Sequence, residues 1–421
     1  MKKVAGVLLA SLMLMPISPV YASDSTSSGT TESAASENVV LQQLYQLNYA
    51  DIEKVIMERN PTVKTNNASL NSADNGYLAI DDSRDDVSST VGGISRMIKK
   101  LRAQANADGI TPEEKAAILV TIRGYQAQIA SLGNSIETLE NSAEDAAQSV
   151  EKAKLNVEMG NQQICLGTEN LFFQNDALKN QRQGLENNIS YLTKKNDSIK
   201  LQKTLGMVSD LDVSNFDQQI KDLNYQLDMV KQQQDTVRGQ VNLLIGQNFN
   251  HPLELDTNIS VDEAKVKALD YNKDFTLVME KSYKLQLQQM AIDAKKLALQ
   301  HSEEMDGLDS YAYKKAQADV DAENMNLFDK NIKLKQEFDQ TYKDVQDKLD
   351  AYKLAQSGLD NLKTKLNNTQ LSNKVGLVSN LDLTGVTVEY DAQVLKAQNA
   401  EEDLMKAYTV YQWLLKGVSA S

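Results

Sequence analysis

The sequence predicts an all-α protein in which long antiparallel coiled-coil hairpins form two pseudo-repeats. Three observations support this fold class. A nine-residue phrase occurs twice, at 205–213 and at 375–383. Apolar residues recur in steps of three and four on both sides of each copy, which is the pattern of helices that pack as coiled coils. From Leu253 onwards the chain has no proline, so no residue of that kind interrupts a long helix.

The first residues have the composition of a secretion signal. Two lysines precede an apolar stretch over 4–15, and a small-residue motif ends at Ala22, after which we place the cleavage site. Residues 23–40 are rich in Ser, Thr, Ala and Glu and contain little to bury, so they are predicted to be a flexible leader. We therefore expect a signal peptide over 1–22 and an exported mature protein.

Composition narrows the possible partners. The formal net charge of −14 argues against nucleic acid and against anionic lipid, both of which attract basic proteins. A single cysteine, Cys165, excludes an internal disulfide framework and is expected to be a small buried residue or a lone thiol. After the signal, no stretch approaches the length of apolar sequence that a transmembrane helix needs.

Each copy of the phrase lies between two apolar stripes with helical spacing. The stripe after the first copy is interrupted by Gln234, and the stripe after the second by Glu401. Both segments end in Leu-Leu-x-Gly, which is a helix stop. The stripe that follows the first copy consists of Ile220, Leu223, Leu227, Val230, Val237, Val241 and Leu244. The stripe that follows the second copy consists of Tyr390, Val394, Ala397, Leu404, Tyr408, Tyr411 and Leu415.

The helix stop at Gly246, followed by a proline-containing stretch, indicates the boundary between the halves. We assign 41–248 to the first repeat and 249–421 to the second. Residues 85–147 have no counterpart in the second half. They are predicted to be a helical hairpin that turns at 106–109 and resumes at Thr111, where a capping threonine precedes proline and glutamate.

The doubled phrase, its coiled coils and the Leu-Asn-Tyr-Ala opening at 47–50 resemble the TolC-like outer-membrane efflux protein family over about 41–417. The resemblance implies a homotrimer that forms a hollow tube, with an α-barrel made of these hairpins. It also implies that the turns dock onto an adaptor protein of a transporter in the inner or cytoplasmic membrane. Carried over by position, the adaptor-contacting residues are Gly206, Met207, Val208, Ser209, Gly376, Leu377, Val378 and Ser379.

Family members insert membrane strands at two places that this sequence fills differently. The first place holds the charged segment 85–147, and the second, about 301–313, is short and acidic. No strand pair is evident in the sequence. We therefore expect a protomer with little or no β-barrel and do not expect membrane insertion. The resemblance implies the outer membrane as location, whereas a cell with a single membrane would place the protein outside the cell or at the wall.

Two acidic residues, Asp212 and Asp382, occupy equivalent places just after the turns. They are expected to begin the next helix, where a carboxylate favours the positive end of the helix dipole. In a trimer, six such carboxylates could instead form an acidic ring at the mouth of the lumen.

Catalysis has no support in the sequence. His251 and His301 have no neighbouring residues at metal-ligand spacing, and no phosphate-binding glycine loop is present. We expect no enzyme activity, no cofactor and no metal. Two functions stay open: an exported conduit of an efflux or secretion assembly, and a coiled-coil structural protein of the cell envelope without transport activity.

Overall fold

The computed structural model describes residues 43–257 and 262–419, so the expected signal peptide and leader lie outside the described residues. The chain divides into Met1–Gln43 and Leu44–Ser421, and every described helix and strand lies in the second unit. Within the described residues, no helix combines the length and the apolar character that crossing a membrane requires.

The first half is built from four helices. A 3₁₀ turn, Tyr49–Asp51, leads into α1, Ile52–Arg59. The side chain of Asn60 then caps α2 by accepting from Val63 N over 3.0 Å. The side chain of Thr111 and that of Glu114 form a reciprocal capping box at the start of α3, with proline at the first helical position. The long helices are α2, Pro61–Ala105, α3, Pro112–Thr204, and α4, Asp210–Leu244.

The second half begins with shorter helices and ends with two long ones. Asp262, Asp270, Ser282 and Ser310 each cap the helix that follows with a side-chain oxygen. Over 262–419 the helices are α5, Glu263–Lys267, α6, Tyr271–Lys281, α7, Tyr283–Asp306, α8, Tyr311–Lys374, and α9, Asn380–Leu415.

The structure contains a small parallel sheet that the sequence analysis did not predict. β1, Gln46–Asn48, pairs with β2, Glu254–Asp256, so that Leu47 lies opposite Leu255. Both leucines are buried. Side chains support the pair, because Gln247 accepts from Leu44 N over 2.7 Å and donates to Leu44 O over 3.1 Å.

Apolar side chains from both halves form one cluster beside this sheet. It contains Leu47, Phe172 and Trp413, and the Trp413 indole donates to buried Glu169 over 2.6 Å. Burial and neighbouring carboxylates raise the pKa of the Cys165 thiol to about 12, so this buried cysteine packs as an apolar residue. A second cluster, centred on Phe338, Leu404 and Tyr411, joins α6, α8 and α9.

The helices pack as antiparallel neighbours, α2 with α3, α3 with α4, α7 with α8 and α8 with α9, while α3 against α9 connects the halves. The predicted stripes face these contacts. In α4, Leu227, Val230, Val237 and Val241 are buried, and in α9 the same holds for Ala397, Leu404 and Tyr411. The fold is therefore the set of long antiparallel helical hairpins that the sequence predicts.

Candidate docking surface at the helical tips

The first tip is the turn between α3 and α4. Gly206 has φ of 76°, a left-handed conformation that glycine adopts without steric cost. Met207 N donates to Gln202 O over 3.0 Å, and Gly206 N donates to Lys203 O over 2.9 Å. This pair of bonds is a Schellman motif, which satisfies the last carbonyls of a helix. The chain thus leaves α3 in a closed turn of fixed shape.

The second tip, between α8 and α9, has the same backbone design. Gly376 has φ of 77°. Leu377 N donates to Ser372 O and Gly376 N donates to Asn373 O, both over 2.9 Å. Each hydrogen bond thus has its counterpart 170 residues earlier in the chain.

Both turns end in a serine that caps the next helix. Ser209 Oγ accepts from Asp212 N over 3.2 Å, and Ser379 Oγ accepts from Asp382 N over 3.1 Å. Each serine hydroxyl also donates to the carboxylate of its aspartate. The hydrogen bonds from Ser209 hold the pKa of the Asp212 carboxyl below its usual range. The structure therefore engages both predicted acidic residues in helix caps.

A polar bridge crosses each turn, and its chemistry differs between the tips. In the first tip, Lys203 forms an ion pair with Asp210. In the second, Asn373 Nδ2 donates to Asn380 Oδ1 over 3.0 Å and to Val378 O over 2.9 Å. Asn373 and Asn380 are the counterparts of Lys203 and Asp210, so the two tips close the same bridge with a charged pair and with an amide pair.

Large apolar side chains surround both turns and are exposed to solvent. Met207 is 70% exposed and Leu377 is 80% exposed, while Val208 and Val378 are half-buried. Sequence reasoning selected these four but missed others, among them Leu201 and Leu371. The exposed apolar residues form four pairs, each 170 positions apart: Leu201 with Leu371, Leu205 with Val375, Met207 with Leu377, and Leu211 with Leu381. The constant offset is the signal that could have identified all eight.

The two tips lie at the same end of the helices. A Cβ at Gly385 of α9 would lie 4.0 Å from the Tyr191 hydroxyl of α3, and Asn180 Nδ2 donates to Asn399 Oδ1 over 3.0 Å. Contacts that pair 191 with 385 and 180 with 399 show that α3 and α9 run antiparallel. The last residues of α3 therefore lie towards the first residues of α9, so both sets of exposed apolar side chains are at the same end of the protomer.

The chemistry of the surface around the tips follows from the side chains that it exposes. Across 43–257 and 262–419, no group of three or more His, Cys, Asp or Glu side chains is placed to hold a metal ion. The tips present backbone turns, a few polar bridges and apolar side chains. Such a surface can bind another protein, since apolar area removed from water is the main source of association free energy.

Comparison with known proteins shows similarity in structure only. No protein-family model and no curated protein matches the chain. Among solved structures, the outer-membrane channel OprN superposes with a TM-score of 0.54 at 10% identity, covering 88% of this chain and 90% of that chain. CusC, described as forming a transmembrane channel, superposes with a TM-score of 0.51 at 11% identity, covering 90% of this chain and 96% of that chain. At these identities the likeness shows the fold, which is that of the TolC-like channel protomer.

Proposed function

We propose that this chain, which has the TolC-like protomer fold, is an exported conduit component of an efflux or secretion assembly in the cell envelope. In this proposal residues 41–248 and 249–421 are its two repeats, and several copies, three by resemblance, surround a lumen. The tips dock onto an adaptor protein that belongs to a transporter of the inner or cytoplasmic membrane. The protein acts by binding and conduction and has no catalytic role.

The observation that carries the proposal is the set of four exposed apolar pairs around the tips. Burying one such Leu, Met or Val side chain contributes about 1.5–3 kcal/mol, so exposing eight of them at one end has a cost that a partner would remove. Hydrophobic residues exposed as a contiguous patch mark interaction sites more often than singly scattered ones. Their repetition at matching positions supports a partner that presents the same binding element to each tip.

The direct test replaces Met207 and Leu377 together by serine. Both side chains are exposed, so the substitutions leave helix packing intact, whereas replacing Gly206 or Gly376 would also strain a left-handed turn. The matched control is the double variant Tyr225→Ser and Leu354→Ser, because these residues are 69% and 76% exposed on α4 and α8, away from the turns.

Efflux activity and cross-linking to the adaptor are measured in the source cells. Accumulation of a fluorescent efflux substrate should rise in the tip variant to the level of a deletion strain and stay at the wild-type level in the control. A photoactivatable residue at position 377 should cross-link to the adaptor, and one at position 354 should not. Normal efflux and unchanged cross-linking in a folded tip variant would refute tip docking.

Imaging of the assembled oligomer separates the conduit from the alternative of a structural envelope protein. A ring of protomers around an open axial lumen is the expected result. A bundle whose axis is filled by Leu and Val side chains could conduct no solute and would support the structural alternative.

A further inference from the structure

The α2–α3 hairpin projects farther from the middle of the molecule than the α7–α8 hairpin. Both start from similar anchors, since Asn60 Nδ2 donates to Leu244 O at the end of α4, and Tyr283 N donates to Gly417 O after the end of α9. From there α2 continues for 45 residues and α7 for 24. The difference of 21 residues corresponds to about 30 Å of helix. The end of the α2–α3 hairpin, residues 94–125, thus extends beyond the other hairpin.

This hairpin end is basic in an otherwise acidic protein. Residues 94–125 contain six Lys and Arg against three Asp and Glu, while the chain as a whole has a net charge of −14. All six cations are exposed, and within the described residues none of them forms an ion pair: Arg96, Lys99, Lys100, Arg102, Lys115 and Arg123. The hairpin end thus carries a net positive charge although the whole chain is negative. This local charge favours anionic lipid as a partner.

Exposed apolar side chains accompany the cations. Met97 is 47% exposed, Leu119 43% and Val120 66%, while Ile98 and Ile122 are buried between the two helices and hold the hairpin together. A helical surface that offers both cations and apolar side chains is typical of segments that lie at the interface of an anionic membrane.

We propose that the end of the α2–α3 hairpin binds the surface of a membrane containing anionic phospholipid. Exposed lysines and arginines contact phosphate headgroups, and Met97, Leu119 and Val120 enter the boundary between headgroups and acyl chains. Charge alone would also allow binding to the acidic end of α7 in a second copy, at Glu303 and Glu304 beside the turn that leads to α8. In copies arranged side by side in the same direction, however, the hairpin end lies about 30 Å beyond that turn. The geometry therefore points to a membrane, and the proposal is independent of docking at the tips.

The test is flotation of the mature protein with lipid vesicles. One set consists of phosphatidylcholine, and the other of an equimolar mixture of phosphatidylcholine and phosphatidylglycerol. The variant Lys99→Gln with Lys100→Gln removes two adjacent exposed cations from the hairpin end. The variant Lys314→Gln with Lys315→Gln is the control, because it removes an equally exposed adjacent pair near the start of α8 and changes the net charge equally.

We expect the wild type to float with the mixed vesicles at low salt and to be released from them at high salt. It should not bind vesicles of pure phosphatidylcholine. The Lys99/Lys100 variant should bind about 25-fold more weakly, at roughly fivefold per cation, and the control should stay within about twofold of the wild type. Equal binding to both vesicle types, no binding, or equal losses in the two variants would overturn the proposal. Sedimentation without lipid provides a further check: self-association that depends on Lys99 and Lys100 would assign the segment to a second copy instead. Circular dichroism confirms that each variant keeps its helix content.

Discussion

The helices α3, α8 and α9 end in the same glycine motif, but the residue after the glycine is exposed in two of them and buried in the third. At the tips, Met207 and Leu377 follow Gly206 and Gly376 and are exposed. In the middle of the molecule, Val418 follows Gly417, which has φ of 92°, and is 1% exposed. The backbone device is identical, while the surroundings of the next side chain are opposite.

The difference in exposure follows from the helix residue whose carbonyl accepts the hydrogen bond from the residue after the glycine. In a Schellman motif the residue after glycine often makes an apolar contact with the helix residue five positions earlier. Val418 N donates to Trp413 O, and both side chains belong to the same buried cluster. At the tips the residues five positions earlier are polar, Gln202 and Ser372, and Met207 and Leu377 stay 70% and 80% exposed. Most of the surface of these two tip side chains therefore remains available for the external contact proposed above.

The largest contrast should come from alanine at the glycines themselves. A Cβ at Gly417 would lie 2.0 Å from Lys281 O, whereas a Cβ at Gly376 would meet no atom within 4 Å. Gly376→Ala should therefore cost only the left-handed strain of about 1 kcal/mol, and Gly417→Ala should cost about 4 kcal/mol through strain and backbone collision. The free energy of unfolding in urea measures both. Similar losses at the two positions would contradict the distinction between open and packed turns.

An intermediate contrast is expected for serine at the following residue. Val418→Ser removes buried apolar area and buries a hydroxyl group, so the free energy of unfolding should fall by about 2 kcal/mol. Leu377→Ser should change it by less than about 0.5 kcal/mol, since the side chain is already in water. Thermal unfolding followed by circular dichroism tests both. A large loss for Leu377→Ser would mean that the tip side chain stabilises the protomer after all.

The smallest expected effect is a pH dependence of the free energy of unfolding. Its direction differs between the contact of α3 with α9, where Glu402 lies, and the tips, where Asp212 lies. Burial, followed by the nearby carboxylate of Asp176, raises the pKa of Glu402 to about 7, although Asn180 Nδ2 donates to Glu402 Oε1 over 2.7 Å. Because the folded-state pKa lies above the ordinary value of 4.5, the folded state holds the extra proton. The contribution of Glu402 to the free energy of unfolding therefore falls as pH rises from about 4.5 through about 7.

Glu402→Gln removes this contribution. Relative to wild type, the variant should be more stable by about 1 kcal/mol at pH 8, after allowance for partial solvent screening, and the advantage should vanish near pH 4.5. Urea unfolding at both values measures the difference. An advantage that is independent of pH would show that the carboxyl group is not the cause. Asp212 at the tip has a lowered pKa, so its influence on stability has the opposite sign and appears only under more acidic conditions.

The sequence was sufficient for the long helices and for the turns between them, because periodicity, capping residues and glycine are local signals. It predicted the start of α3 at Thr111 and Pro112, where the capping box forms. It also predicted the apolar stripes of α4 and α9, whose central residues are buried.

The features that the sequence did not predict depend on contacts between segments that are distant in the chain. β1 and β2 have three residues each and pair across Leu47 and Leu255, so neither strand is long enough to show an alternating pattern. The exposure of Leu201 and Leu371 was also missed, since both fit the helical periodicity and only the packing of neighbouring helices leaves them outside. Local patterns identify which residues are apolar, and the tertiary arrangement decides which of them are covered.

The apolar cluster beside the small sheet has a consequence for the order of folding. Its members come from opposite ends of the described chain, and Tyr49 and Thr409, which meet beside it over 3.2 Å, are 360 positions apart. The helical hairpins contain contacts between near neighbours and can form early, whereas closing a loop of this length carries a larger entropic cost. During synthesis, β1 has no partner until Asp256 is made, and Leu47 does not meet Trp413 until α9 is nearly complete. The hairpins should therefore form first, and the middle of the molecule should close last.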